Sequence, residues 1–213
     1  MNAADKMADK MKVMVVDDHP LLRVGITAIV NARSDMSVVA QAETGEEAVA
    51  LFPRCKPDVT LMDLKLPGMS GVAAIAAIRA AHHNARFIVV TTYEGDEDIH
   101  RALEAGAQGY IIKGMPYQVL VQALQRVHSG GRFLPPPVAH ALASRMPDSD
   151  LSARELEVLN LLVGGKSNKD IASLLGITEA TVKSHVSAIL MRLNVNDRTQ
   201  AVVTALQRGL VHL

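Results

Sequence analysis

The sequence has few of the features that mark secreted or membrane proteins. Cys55 is the only cysteine among its 213 residues, so no internal disulfide can form, which suits a reducing cytoplasm. No apolar run approaches the roughly 18 residues needed to cross a bilayer. The polar residues 1–10 lack the apolar segment of a signal peptide and are expected to form a flexible leader. These absences predict a cytoplasmic protein with no membrane partner.

The chain also lacks an excess of charge of either sign. Its 22 lysines and arginines equal its 22 aspartates and glutamates, so the formal net charge is zero. A balanced charge gives no global indication of a nucleic-acid partner, which must therefore be argued from local patterns. The length of 213 residues fits one large or two ordinary domains, and the 49% of apolar residues is enough to form their cores.

Two kinds of pattern divide the sequence. In the first part, five short apolar runs alternate with helical patterns, which predicts a parallel sheet covered on both faces. After Leu151 no strand-like run remains, and a stretch rich in glycine and proline separates the two parts. We therefore predict an α/β domain at residues 11–130, a linker at 131–149 and a small all-α domain at 150–213.

Polar side chains follow four of the five apolar runs. Asp17 and Asp18 follow the first run, Asp63 the third, Thr91 the fourth and Lys113 the fifth. Because the carboxyl ends of parallel strands share one edge, these residues are expected to converge. Three neighbouring carboxylates repel one another, which favours a bound Mg²⁺. Each residue alone could be an ordinary strand-end cap, but the five together indicate phosphoryl transfer, with one carboxylate as nucleophile.

These residues, with "LPGMSG" behind Asp63 and "GYIIK" ending at Lys113, resemble the receiver domain of two-component response regulators over residues 11–130. The resemblance implies a flavodoxin-like fold, a five-stranded parallel sheet of order 2-1-3-4-5. One position departs from the family pattern, because Gly114 stands where many receivers have proline. The cis peptide bond of the family is therefore left open here, since a non-proline cis bond costs about 2.5–4 kcal/mol.

The resemblance also implies roles for individual residues. Asp63 would be the phosphoacceptor, and Mg²⁺ would be bound directly by Asp18, Asp63 and the backbone carbonyl of Lys65. Asp17 would assist through water. The implied metal site therefore uses both the end of the first strand and the loop after the third.

Further residues would act on the phosphoryl group. Thr91 and Lys113 would contact its oxygens, and Tyr110 would be the aromatic side chain that moves inward on activation. Lys65 and Tyr93 occupy positions that tune the rate of dephosphorylation in the family. For Lys65 and Tyr93, a role as ordinary surface residues is the alternative.

The last part of the chain predicts four helices. Ser152 and Glu155 form a capping box at the start of the first helix. A short helix at 168–175, a glycine-bearing turn and a longer helix at 179–193 form a helix-turn-helix. A fourth helix is expected at 198–208.

Polar side chains on the longer helix are the candidates for DNA contacts. Lys183, Ser184 and Ser187 lie in its N-terminal half, the part that enters a major groove, and can reach base edges. Other polar residues are better placed for phosphates: Lys166, Lys169, Thr181 and Arg192. The alternative is a solvated polar face on a helix of a bundle.

The segments "LSARELEVLNLL", "GKSNKDIASLLGI", "TVKSHV" and "RTQAV" resemble the LuxR/NarL-type helix-turn-helix. The resemblance implies that Lys183, Ser184 and Ser187 reach bases and that the last helix forms a dimer contact. Many relatives carry larger or charged residues in place of Ser184 and Ser187, so the preferred DNA sequence does not transfer.

Together the two parts are similar to response regulators of the NarL/FixJ type. The implied partners are a sensor histidine kinase that phosphorylates Asp63, double-stranded promoter DNA and a second copy of the chain, with RNA polymerase as a further candidate. Phosphorylation would control dimerisation and promoter binding. One alternative is a DNA-binding regulator that ignores phosphorylation and whose receiver serves mainly for dimerisation. A separate enzyme activity is not expected, because no second catalytic constellation follows Gly130; only self-phosphorylation and self-dephosphorylation are.

Overall fold

A computed structural model describes residues 10–92, 95–144 and 151–211. Packing divides the chain into two compact units, Met1–Tyr93 with Ile99–Ala139 and Glu94–Asp98 with His140–Leu213. Nearly all of the predicted leader and Tyr93 lie outside the described residues. Among the helices that are described, none has both the length and the apolar character needed to cross a bilayer.

The first unit alternates strands with helices, as the sequence pattern predicts. Its five strands form one parallel sheet in the order β2-β1-β3-β4-β5, which confirms the predicted order. The elements in chain order are β1 Met11–Val16, α1 Pro20–Asn31, β2 Met36–Ala42, α2 Gly45–Cys55, β3 Val59–Met62, α3 Gly71–Ala81, β4 Phe87–Thr91, α4 Asp96–Glu104, β5 Gly109–Ile112 and α5 Tyr117–His128.

The central strands are apolar because helices cover both of their faces. Every residue of β3 and β4 is buried, which is the pattern of a parallel sheet enclosed on both sides. Alternate strand residues point to opposite faces, and one face packs against α1 and α5 in a single core that includes Val15, Leu61, Ile26 and Leu124. Packing against these helices therefore holds the sheet in place, and with it the polar residues at the ends of its strands.

Local signals set the helix starts in this unit. Pro20 begins α1, where a missing backbone N–H removes no helical hydrogen bond. The side chains of Thr44 and Ser70 each accept a hydrogen bond from a backbone N–H in the first turns of α2 and α3. Two to eight residues separate each strand from the helix that follows it, so the connecting loops at the carboxyl ends of the strands are short.

Part of the predicted linker packs with the sheet. Phe133 forms a bridge beside β5: its backbone carbonyl accepts from the N–H of Tyr110, and its own N–H donates to the carbonyl of Gln108, both at 2.9 Å. A short helix, α6, follows at Pro136–Ser144. The extent of each domain as an independent folding unit, including the boundaries at 130 and 150, remains a prediction.

The second unit contains the four predicted helices. They are α7 Ala153–Val163, α8 Asn168–Leu175, α9 Glu179–Leu193 and α10 Arg198–Gln207. Each begins after a side-chain cap, and the predicted capping box of Ser152 and Glu155 is present. Such caps satisfy backbone N–H groups that have no partner within the helix.

A small apolar core joins these helices. Leu159 of α7, Ile171 of α8, Val182 and Ile189 of α9 and Ala201 of α10 are all fully buried in one cluster. Between α8 and α9 the chain turns at a glycine, Gly176, whose φ of +64° lies in the left-handed region. The turn and the shared core together place α8 and α9 as a helix-turn-helix.

Candidate functional site

Acidic side chains meet at the carboxyl edge of the sheet. Asp17, Asp18 and Asp63, here called the acidic cluster, lie with His19 so that ligand atoms of all four residues are within 4.8 Å of one another. Asp17 and Asp63 are 1% and 2% exposed, while Asp18 is exposed. The sequence prediction that the separate acids converge is therefore met in the structure.

The sheet itself holds the buried acids in place. The backbone N–H of Asp17 donates to the carbonyl of Ala42 at 3.1 Å, and that of Asp63 donates to the carbonyl of Val16 at 2.9 Å. These bonds continue the strand ladders by one residue beyond β1 and β3. The two carboxylates are therefore attached to a rigid edge rather than to free loops.

Lys113, directly after the edge strand β5, also contacts the acidic cluster. Its Nζ lies 2.5 Å from Asp63 Oδ2 and 2.9 Å from Asp17 Oδ2. The backbone N–H of Lys113 donates to the carbonyl of Thr91 at 2.8 Å, which aligns the end of β5 with the end of β4. One ammonium group therefore bridges the two buried carboxylates.

Burial and charge act on both partners of this contact. It raises the pKa of Asp63 above its ordinary value, against the opposing effect of Lys113, and the charge of Asp17 acts in the same direction as burial. Burial works to lower the pKa of Lys113, but the Asp63 and Asp17 carboxylates outweigh it and raise that pKa. Three carboxylates against one ammonium leave this edge attractive to a cation.

The other predicted receiver residues differ in their placement. Thr91 is buried at the end of β4, and its hydroxyl works to lower the pKa of the nearby Asp63 carboxyl. The backbone N–H of Lys65 donates to Asp63 Oδ1 at 3.3 Å, while the Lys65 side chain is exposed. Tyr110 is fully buried in β5. Lys65 therefore contacts the phosphoacceptor candidate, Thr91 lies close enough to influence its pKa, and Tyr110 belongs to the sheet core.

The peptide bond after Lys113 is trans, since none of the bonds in the described part of the chain is cis. Gly114 has a φ of +94°, in the region that favours glycine, and a Cβ there would meet open space. A proline could not adopt this backbone because its ring holds φ near −65°. Gly114, where many receivers have proline, therefore adopts a backbone conformation that proline could not adopt.

His19 is a neighbour of the acidic cluster that the sequence reasoning missed. Its Nδ1 lies 2.7 Å from Asp18 Oδ1 and 3.1 Å from Asp17 Oδ1, and its backbone N–H donates to Asp17 Oδ1 at 2.8 Å. The signal was its position directly after the two acids at a strand end. The imidazole of His19 therefore adds one nitrogen, a metal ligand of intermediate softness, to carboxylate oxygens, which are hard metal ligands.

The donor set fits a hard divalent cation. Carboxylate oxygens from two strand ends and an exposed third carboxylate leave one side open to solvent, which suits an ion that keeps several waters, as Mg²⁺ does. The prediction of an acidic, cation-attracting edge is therefore confirmed at this level, and the identity of the ion and its direct ligands are proposals.

The second unit exposes the residues predicted to contact DNA. On α9, Thr181, Lys183, Ser184 and Ser187 are all exposed, while Val182 between them is fully buried. The Ser184 hydroxyl donates to the carbonyl one helical turn earlier at 3.1 Å, which leaves its oxygen free to accept. Lys166 and Lys169 are exposed around the start of α8. The structure therefore exposes polar side chains on α9 and around the start of α8, the two helices of the helix-turn-helix.

Arg192 has a structural partner. Its Nε lies 3.3 Å from Oε1 of Glu155, a buried carboxylate at the start of α7. The predicted phosphate contact therefore also compensates a buried charge within the unit, a link that no local sequence pattern signals because it joins the first and third helices of the domain.

A doubly wound sheet with clustered acids, a lysine and a hydroxyl at its carboxyl edge, in a chain that also carries a helix-turn-helix, defines a regulator with an acidic input site and a DNA-reading output. Two family descriptions match this chain: "Response regulator receiver domain" over residues 13–125 and "Bacterial regulatory proteins, luxR family" over residues 149–205. The chain belongs to the family of two-component response regulators with a LuxR-type DNA-binding domain.

Relatives of known kind cover nearly the whole chain. It is 35% identical to the transcriptional regulatory protein DegU of Brevibacillus brevis, over 95% of this chain and 96% of that protein. It is 38% identical to the response regulator protein VraR of Staphylococcus aureus, over 94% and 99%. Both comparisons extend across the receiver and the helix-turn-helix.

Two solved structures are similar over the same range. The response regulator ChrA of a heme-sensing two-component system has a TM-score of 0.57 and 38% identity, covering 95% of this chain and 99% of that one. RcsB from Salmonella enterica serovar Typhimurium, bound to promoter P1flhDC in the presence of the phosphomimetic BeF3-, has a TM-score of 0.71 and 25% identity, covering 93% and 99%.

Proposed function

We propose that phosphorylation of Asp63 by a sensor histidine kinase controls how this DNA-binding response regulator dimerises and binds promoters. The observation that carries the proposal is the contact of Lys113 with both Asp63 and Asp17 at the carboxyl edge of the sheet. A cation that bridges two buried carboxylates can instead neutralise a phosphoryl group placed on one of them. In the resting state Lys113 thus pairs with two carboxylates, and in the phosphorylated state it would pair with the phosphoryl group.

The transfer step needs few protein groups. A carboxylate oxygen of Asp63 attacks the phosphorus of a phosphohistidine, the P–N bond breaks, and its electron pair returns to the imidazole of the kinase. Lys113, which contacts Asp63, and the hydroxyl of Thr91 at the end of the neighbouring strand would contact oxygens of the bound phosphoryl group. Charge neutralisation and positioning supply most of the catalysis in such transfers.

The proposed cofactor is Mg²⁺. Asp18, Asp63 and the backbone carbonyl of Lys65 would hold it directly and Asp17 through water; when bound, it supplies further charge neutralisation at the phosphoryl oxygens. The Lys65 N–H already donates to Asp63, so this stretch of backbone lies beside the phosphoacceptor. By resemblance, the side chain of Lys65, which is exposed, and that of Tyr93 would then govern the access of water that dephosphorylates the site.

The switch would begin with charge. A phosphoryl group adds about −1.5 to −2 charges at neutral pH, which would draw Lys113 away from Asp17 and strengthen the Thr91 contact. The buried Tyr110, on the strand that ends at Lys113, would transmit the change to the surface. Couplings of about 1–3 kcal/mol, or 5–150-fold in affinity, are typical of such switches and are sufficient to favour a dimer.

The output would read DNA through α9. Lys183, Ser184 and Ser187 would contact base edges, and two copies of the chain would place two such helices about 34 Å apart on an inverted repeat. Phosphate contacts would come from Lys166, Lys169, Thr181 and Arg192. The RcsB structure bound to a promoter with a phosphomimetic supports this arrangement, and RNA polymerase is the partner that a promoter-bound activator would meet. The cytoplasm is the compartment in which the kinase domain and the chromosome are both accessible.

The test compares wild type with Asp63→Asn, which keeps the shape and removes the nucleophilic carboxylate. With Mg²⁺ and a small-molecule phosphodonor, wild type should gain the mass of one phosphoryl group, and its footprint on genomic fragments should strengthen. Asp63→Asn should show neither change. Asp35→Asn, an exposed carboxylate after α1, is the matched control and should behave as wild type.

A different outcome would favour the alternative function. A footprint that is the same in wild type and Asp63→Asn, and that is unchanged by Mg²⁺ and phosphodonor, would indicate a regulator whose receiver serves mainly for dimerisation. Phosphorylation of Asp63→Asn to the wild-type extent would overturn the assignment of the phosphoacceptor.

A further inference from the structure

Arg23, on the first turn of α1, makes two contacts behind the acidic cluster. Its Nη1 donates to the backbone carbonyl of Asp17 at 2.7 Å, and its Nη2 lies 2.5 Å from Glu43 Oε1. The Arg23 side chain is only 11% exposed. A charged side chain that is this well buried is ordinarily committed to its hydrogen-bond partners.

The two contacts join neighbouring strand ends. Asp17 follows β1, and Glu43 follows β2. Glu43 is held in turn, because its backbone N–H donates to Glu47 Oε2 in the first turn of α2 at 2.8 Å. Arg23 therefore ties the end of β1 to the end of β2 and, through Glu43, to α2.

Asp17 is the residue through which this brace would act. Its carboxylate contacts Lys113 and accepts from the backbone N–H of His19, so both ends of the residue are held. A shift of the Asp17 carbonyl would carry its carboxylate and the adjoining Asp18 with it, because the backbone here is the start of a short loop. The guanidinium of Arg23 therefore holds the carbonyl side of Asp17, from which the chain continues to Asp18.

We propose that Arg23 is a positioning residue that sets the affinity of the acidic cluster for a divalent cation by fixing the backbone of Asp17. The inference rests on the proposed function, in which that cation is the cofactor of the phosphoryl site. Outer partners of metal ligands that hold those ligands in place commonly change metal affinity by 10–100-fold when they are replaced.

Charge and position predict opposite results, which makes the proposal testable. If Arg23 acted only as a nearby positive charge, its removal would make the edge more negative and strengthen cation binding. Its charge is already balanced by Glu43, so the loss of the brace should dominate and cation binding should weaken. The guanidinium also holds two donor nitrogens at a fixed separation, one toward the Asp17 carbonyl and one toward Glu43, whereas a lysine offers a single nitrogen.

The experiment titrates the full chain with Mg²⁺ alone and follows the amide NMR signals of Asp17 and Asp63. We expect Arg23→Gln to weaken Mg²⁺ binding about tenfold, the lower end of the range for such outer partners, and Arg23→Lys to weaken it severalfold although the charge is kept. Arg33→Gln is the matched control, because Arg33 lies just after the same helix and pairs with the exposed Asp35. It should bind Mg²⁺ as wild type does.

Wild-type affinity or tighter binding in Arg23→Lys would overturn the proposal, as would tighter binding in Arg23→Gln. Should Arg23→Gln fail to fold, as judged by thermal unfolding and by amide signals far from the acidic cluster, Arg23→Lys decides the question alone. A wild-type chain that binds no Mg²⁺ would instead refute the proposed cofactor, and the role of Arg23 would fall with it. The two failures are therefore distinguishable.

Discussion

The acidic cluster and the helix-turn-helix are built in different ways. In the first, Lys113 and Asp63 touch although they are 50 positions apart, and both are largely buried. In the second, the candidate base contacts Lys183, Ser184 and Ser187 lie within two turns of one helix and are exposed. One site is assembled by a whole sheet, and the other is displayed by a single helix.

This difference decides what each site is sensitive to. A carboxylate at a sheet edge moves when any neighbouring strand or loop moves, so changes far from Asp63 should alter its chemistry. A side chain on the surface of α9 keeps its place as long as the helix and its small core survive. We therefore expect remote substitutions to matter more in the receiver than in the DNA-binding domain, and the following predictions test that contrast.

The largest effect is expected from a single methyl group added at Gly71, next to the backbone of Asp63. In Gly71→Ala the new Cβ would lie 1.9 Å from the backbone carbonyl oxygen of Asp63, so the loop after β3 must shift, at a cost of about 3 kcal/mol. Gly165→Ala in the other unit meets nothing within 4 Å but has a φ of +73°, which costs about 1 kcal/mol. Urea denaturation, followed by amide signals of each unit, measures both; equal losses would contradict the contrast.

A smaller loss is expected when the bridging ammonium is removed. Lys113→Met leaves the buried Asp17 and Asp63 carboxylates facing each other, which should destabilise the receiver by about 2 kcal/mol after allowance for partial exposure. Thermal unfolding with and without Mg²⁺ is the measurement, and the cation should restore more stability to this variant than it adds to wild type. Lys65→Met, at an exposed side chain, should change stability by less than about 0.5 kcal/mol. No greater Mg²⁺ stabilisation in Lys113→Met would contradict the role of Lys113 as a counter-ion.

On the DNA-binding face, effects should be local and separable. Lys183→Ala should cost about 1.5 kcal/mol on the preferred site and relax its sequence preference, as expected for a base contact. Lys169→Ala should weaken binding to all sequences alike and reduce the salt dependence by about one ion. Binding isotherms at several salt concentrations distinguish the two. A uniform loss from Lys183→Ala would move that residue to the phosphate contacts.

The smallest effect is expected at the capping box of α7. Burial works to raise the pKa of Glu155, but the hydrogen bonds from Ser152 and the charge of Arg192 outweigh it and hold that pKa below its ordinary value. A lowered pKa means that Glu155 stabilises the fold above its unfolded-state pKa and that this stability is lost as the pH falls through its folded-state value. At neutral pH, Glu155→Gln should cost about 1 kcal/mol.

The pH dependence provides the check on that prediction. The difference in the free energy of unfolding between wild type and Glu155→Gln should shrink as the pH is lowered into the acid range. Glu157→Gln is the control, because Glu157 pairs with Arg154 on the exposed side of the same helix and should have little effect at any pH. A difference that stays constant with pH would show that the Glu155 charge is not what stabilises the cap.

Much of the fold could be predicted because the signals are local. The caps Ser152 and Thr178 and the glycine at 176 set the helix-turn-helix within one or two residues of the predicted bounds. Alternation of apolar runs and helical patterns likewise predicted the parallel sheet, while its strand order was implied by the resemblance to receivers. His19 was missed although its position directly after the two acids was a local signal. Arg23 and the partner of Arg192 could not be predicted, since both depend on which groups face each other across separate elements.

By itself, the sequence determined which residues end strands, which residues begin helices and which chemical groups each end carries, because hydrogen-bond caps, turn residues and apolar periodicity act over a few neighbouring positions. Only the tertiary structure decided that Lys113 spans two buried carboxylates, that the Lys113–Gly114 bond is trans and that Arg23 reaches the carbonyl of Asp17. Those outcomes follow from distances between strands and helices, which depend on how the whole sheet packs and twists.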